Sequence, residues 1–131
     1  MATSQGVTVD IVLKAAADLS AKQYYFVKVT ADRTVNVCAA ATDIPIGVLQ
    51  NKPAAANRAA VVRVVGSTKL SANEAITVGW LLGTSADGQA DRKIPGTDIT
   101  EYTVGQALEG TGAAGDIFEA AVNCASPSRA A

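Results

Sequence analysis

Short runs of β-branched and aromatic residues, each closed by a glycine, proline or aspartate turn, recur along this chain, and none sustains a 3.6-residue period. That pattern constrains the fold more than any other feature, because a stable helix needs the other periodicity. About eight such runs, at intervals of roughly 10–20 residues, predict an all-β chain. The expected architecture is a small antiparallel β-barrel or sandwich with at most one short helix. Residues 44–51 hold the run on which the rest is organised. Pro45 lacks a backbone donor and marks a strand entrance or an edge. Gly47 marks a bulge or a close backbone approach rather than chemistry. Asn51-Lys52-Pro53 then ends the run ahead of a strand over residues 60–65.

Taken in order, residues 1–6 are small and polar and read as a flexible N-terminal arm. Val7, Val9, Ile11 and Leu13 alternate with Thr8 and Asp10, which predicts a half-buried strand. Residues 14–22 have room for one helical turn and no more. Residues 24–30 and 34–38 form a hairpin across Ala31-Asp32-Arg33. Val61, Val62, Val64 and Val65 are apolar on both faces, so their strand is central or covered by a neighbouring subunit. Gly66-Ser67 is expected to turn the chain into a strand over residues 76–82. Asp87-Gly88 is a hairpin-turn signal inside the most polar segment, residues 83–101. Residues 102–109 repeat the glycine-bearing pattern around Gly105 and lead through a glycine-rich turn to a strand over 117–122. The expected organisation is an arm at 1–6, one β domain at 7–123 and a tail at 124–131 that frays.

At 131 residues the chain fits one domain. Its 11 basic and 12 acidic residues are scattered singly, so no clustered basic face for nucleic acid is visible. No apolar run approaches the ~18 residues of a membrane span. The N-terminus lacks the charged and apolar regions of a secretory signal, so a soluble protein made in the cytosol is expected. Cys38 and Cys124 read as small buried hydrophobes, with a disulfide as the alternative. Trp80, the one tryptophan, reads as core, with an interface anchor as the alternative.

The chain has no histidine, which removes Ser-His-Asp and Cys-His nucleophiles and His-ligated metal sites together. The acids Asp10, Asp18, Asp32, Asp43, Glu74 and Asp98 stand apart in the sequence, and paired carboxylate chemistry would need folding to join two of them. Asp87-Gly88-Gln89-Ala90-Asp91 lacks the ligand spacing and terminal glutamate of a calcium loop. Gly110-Thr111-Gly112-Ala113-Ala114-Gly115 matches a dinucleotide fingerprint in letters, but a strand follows it where a helix is required. No catalytic, cofactor-binding or metal residues are expected, and the chain does not read as an enzyme.

Ile46-Gly47-Val48-Leu49-Gln50-Asn51 with Pro53, the valine strand ending at Gly66, Ile76-Thr77-Val78-Gly79, Asp87-Gly88 and Val104-Gly105-Gln106-Ala107-Leu108-Glu109 together resemble the decoration, or cement, proteins of tailed-bacteriophage capsids. The likeness spans residues 44–122 and departs at Trp80-Leu81-Leu82, where a polar residue commonly follows the glycine. It implies a β-tulip-like domain that binds the capsid exterior of a virion, as a homotrimer at or near local threefold positions. There it would bridge copies of the major capsid protein and strengthen the expanded shell. No nucleic acid, membrane or cofactor is implied. Ala2, Thr3, Ser4, Gln5 and Gly6 of the arm, and Arg92, Lys93 and Ile94 of the turn-rich segment, are the candidate capsid contacts. Two other readings stand beside it: a tail-tube, head–tail connector or host-binding fibre domain, and a small enzyme or ligand-binding barrel.

Overall fold

The computed structural model describes residues 7–131 and is all-β, with no helix among them. The strands are β1 (Val9–Ala15), β2 (Phe26–Ala31), β3 (Thr34–Val37), β4 (Gly47–Leu49), β5 (Ala59–Ser71), β6 (Leu81–Thr84), β7 (Ala90–Arg92), β8 (Tyr102–Thr103), β9 (Gly105–Ala107), β10 (Ile117–Asn123) and β11 (Ser128–Arg129). Nine of them form one sheet in the order β1-β3-β2-β4-β5-β10-β9-β6-β7. Because β1 also pairs with β5, the first five strands of that order close into a barrel. The pairing of β1 with β3 is parallel, and the other strand pairings are antiparallel. Closure covers most of the edge that a five-stranded sheet would otherwise expose, although β1 meets β3 only at Lys14 and Ala15.

Two cores result. Leu13, Ala15, Val27, Val35, Leu49, Ala60 and Val62 fill the barrel, with Leu19 closing it. Phe26, Val48, Leu70, Leu82, Phe118 and Val122 belong to a second core, laid between the barrel wall and the strands that continue the sheet. Alternation lets single strands serve both: Phe26 faces the second core and its neighbour Val27 the barrel.

β5 is the strand that joins the two units. Its residues Ala60 and Val62 point into the barrel, while Val64, Leu70 and Ala72 (just past its end) point into the second core. The sequence predicts a turn at Gly66-Ser67; instead the strand runs through both to Ser71. Gly66 sits at φ +126°, where an L side chain is strained, and a Cβ there would lie 2.7 Å from Thr8 Cγ2. Val9 pairs with Val65 and Asp10 with Arg63, so Val64 is an extra, bulged residue. Bulge and glycine together bend the strand out of the barrel without ending it.

Gly47 answers to close approach. A Cβ on it would lie 2.5 Å from the Arg63 carbonyl oxygen. Its strand is shorter than predicted, because residues 44–46 precede the ladder. Gly105 plays the same part against β10, where a Cβ would lie 2.8 Å from Ala121 O.

Two further expectations change, and one open possibility closes. The strand predicted over 76–82 begins at Leu81, because Gly79 adopts φ +89° and breaks the run. Residues 14–22, which had room for at most one helical turn, form none, since β1 runs on to Ala15 and a turn follows. The tail does not hang free: Ser128 and Arg129 pair with Thr103 and Tyr102, and Cys124 and Ala130 are buried. Its small residues suggest fraying, but the same smallness lets the segment pack closely. The hairpin of β2 and β3 and the Asp87-Gly88 turn stand as predicted, the latter with Gly88 at φ +84°.

Candidate interaction surface

The polar segment ahead of β8 is where chemistry-bearing groups gather. Lys93 follows β7 and is buried, with its side chain wholly covered. Its Nζ meets Glu101 Oε1 at 2.5 Å and Asp91 Oδ2 at 4.0 Å. Lys93 is therefore not a surface contact, contrary to the sequence reading; a lysine in a turn-rich run looks solvated, and only the fold brings Glu101 to it. Arg92 is exposed, with its guanidinium 4.4 Å from the centroid of the Trp80 ring. Ile94 is 40% exposed. Residues 2–6 of the arm lie outside the described residues. Hydrogen bonds hold the connection after Lys93, with Ile94 N–H donating to Asp98 Oδ2 and Gly96 N–H to Ala130 O.

Folding also joins two acids that the sequence leaves apart. Glu74 and Asp91 share a hydrogen bond, and Glu74 Oε2 accepts from the Arg92 backbone N–H at 3.2 Å. That carboxylate, together with the Ala72–Ala90 bridge, covers the outer edge of β7. Burial, then the Glu74 hydrogen bond and charge, push Asp91 up to about 6 from 3.8. Glu74 is held below its ordinary value, first by the same hydrogen bond. Arg92 and Lys93 are the cations facing the pair.

The sign of the pH effect follows. Asp91 binds a proton more readily folded than unfolded, so unfolding becomes harder as pH falls through about 6. The opposing contribution of Glu74 is lost only below its unfolded value of 4.5. Stability to urea should therefore rise between about pH 7.5 and pH 5, and Asp91→Asn should flatten that rise. A profile for the variant identical to that of the parent would contradict the pairing.

Among the described residues, no group of three or more His, Cys, Asp or Glu converges to hold a metal ion. No helix among them is long and apolar enough to cross a membrane. Cys38 and Cys124 are free thiols in the second core, each pushed up to about 12, chiefly by burial, and so behave as small hydrophobes. Trp80 packs half-buried against the same core.

What remains exposed is a broad sheet face. β10 alternates strictly, burying Phe118, Ala120 and Val122 and presenting Ile117, Glu119, Ala121 and Asn123. Leu81 and Leu108, 38% and 51% exposed, extend that face. Beside it lies a shallow groove of about 350 Å³, lined by Leu81, Thr103, Gly105, Gln106, Ala121 and Asn123 among others. The face mixes apolar and polar groups and has no converging charged set, so it suits a protein contact better than a small molecule. The sequence hides it, because nothing in an alternating strand says whether its outer face meets water or another protein.

No family model matches the chain, and no curated protein does. Among solved structures it is similar to the N base of the head fiber gp8.5 of bacteriophage phi29. That likeness has a TM-score of 0.61 at 21% identity, over 90% of this chain and 96% of the other. At that identity it speaks for the fold.

Proposed function

We propose that this chain is a structural protein of a phage virion, seated on the outer surface of the capsid and acting by binding rather than catalysis. The observation that carries this reading is the likeness in fold to a phage head-fiber base along nearly the whole of both chains. It agrees with the resemblance of residues 44–122 to capsid cement proteins, which rests on the sequence alone. In the finer form, the protein is made in the host cytoplasm and binds as a homotrimer to the expanded shell. There it bridges neighbouring major capsid proteins and holds them against internal pressure. Arg92, Ile94 and the exposed face of β10 supply surface for such contacts. No cofactor, nucleic acid or membrane takes part.

The test is a comparison of expanded shells with and without the purified protein. Bound protein should raise the temperature or chaotrope concentration at which shells come apart. Shells that bind none, or gain no resistance, would end the cement reading.

A second reading has the same structural support. A domain shaped like a fiber base is suited to carry a fibre or host-binding module on the head. Labelled protein imaged on virions separates the two, since cement covers the whole head and a fibre base marks discrete sites.

A further inference from the structure

Among the described residues, β1 is paired on one side only along its first half. Against β5 it is in register from Val9 to Lys14, whereas against β3 the pairing covers Lys14 and Ala15. The hairpin of β2 and β3 turns at Asp32-Arg33 and reaches no further along β1. Alternation then determines which backbone groups are left. Ala15 donates to Arg58 O and accepts from Asn57 N–H, so odd-numbered residues of β1 face β5. Lys14 N–H donates to Arg33 O on the opposite side, so the even-numbered Asp10 and Val12 face away. Among the described residues a single contact meets this row, Arg33 Nη2 donating to Val12 O at 3.1 Å.

Sheet edges are ordinarily blunted by lysine, proline or inward charge. Residues 7–13 contain no lysine or proline, and Val7, Val9 and Val12 are 91%, 46% and 54% exposed. The charge of Asp10 is already met by Arg63 through two hydrogen bonds, at 2.8 and 3.1 Å, so it does not repel an incoming chain. Outward N–H and C=O groups at two-residue spacing complement one kind of ligand, an extended polypeptide.

We propose that this edge of β1, residues 9–12, takes up an extended segment of a partner polypeptide, which adds a strand beside β1. The identity of that partner, the major capsid protein, rests on the function proposed above. A second copy of this chain is the poorer occupant. About four residues a side fall far short of the roughly 20–30 a side in a stable interface, so a β1–β1 pair would not hold alone. A protein held to a shell by other contacts gains the strand in addition. Branched apolar residues in the added strand would pack beside Val9 and Val12.

The free chain gives the first test. Amide exchange should be fast at Asp10 and Val12 and slow at Ile11 and Leu13; slow exchange at all four overturns the open edge. Val12→Pro then removes an outward N–H that β5 does not use, a placement proline tolerates, whereas Val12→Thr keeps it. Both variants should melt close to the parent. On expanded shells of the major capsid protein, V12P should bind roughly tenfold more weakly than the parent and V12T about equally. Equal binding by V12P overturns the added strand while leaving the capsid reading intact. A parent that fails to bind shells overturns that reading and the partner strand with it. A dimer of the free chain that V12P abolishes overturns the choice of occupant.

Discussion

Phe26→Ala lowers the free energy of unfolding by about 4 kcal/mol in a urea titration. Phe26 is fully buried, and it lies on a barrel strand with its ring in the second core. Its backbone N–H donates to Gly88 O at 2.7 Å and its carbonyl accepts from Cys38 N–H at 3.0 Å. Both bonds survive truncation, so the loss reports the ring. The ring belongs to the second core with Leu70, Leu82 and Phe118, so truncation leaves a cavity among buried side chains. Val29→Ala on the same strand, at a position 54% exposed, should cost about 0.5 kcal/mol or less. A loss below about 1.5 kcal/mol for Phe26→Ala would mean that the two cores do not depend on the shared wall.

Glu101→Ala should cost about 3 kcal/mol, because it leaves the covered ammonium of Lys93 with Asp91 at 4.0 Å as its remaining carboxylate. The double variant should recover. Lys93→Met fills the same volume without charge, so adding it to Glu101→Ala should restore most of the loss. Urea titrations of the parent, both single variants and the double variant form the cycle that isolates the pair. If Glu101→Ala costs no more than an exposed substitution, water reaches Lys93 and the ion pair does not matter.

These two residues also show how far the sequence could be read. Strand positions and the all-β class were legible because alternation and turn residues are local signals, as at β10 and the Asp87-Gly88 turn. Gly47 was legible as a bulge or a place of close approach, whereas Gly105 was legible only as an echo of that pattern. Gly66 was misread as a turn because a glycine inside a strand and a glycine ending one look alike in sequence; only the partners Thr8 and Val122 decide between them. The burial of Lys93, the joining of Glu74 to Asp91 and the pairing of the tail with β8 depend on contacts between distant segments. The open edge of β1 was equally hidden. Val7, Val9, Ile11 and Leu13 look alike in alternation, but burial falls from Leu13 back to Val7 as the hairpin of β2 and β3 ends.

Of the residues expected to touch a capsid, Arg92 and Ile94 are exposed, Lys93 is buried, and Ala2 to Gly6 lie outside the described residues. Surface candidates drawn from polarity alone are weak because polarity does not distinguish a solvated lysine from one paired inside. The exposed face of β10 and the edge of β1 give better grounds for choosing substitutions.

The most direct measurement of the central claim is an image reconstruction of expanded capsid shells incubated with this protein. The account predicts added density on the outer surface, fitted by this barrel and its sheet extension, in three copies around local threefold positions and touching more than one major capsid protein. Bare shells, or protein density confined to the tail or to the shell interior, would contradict it.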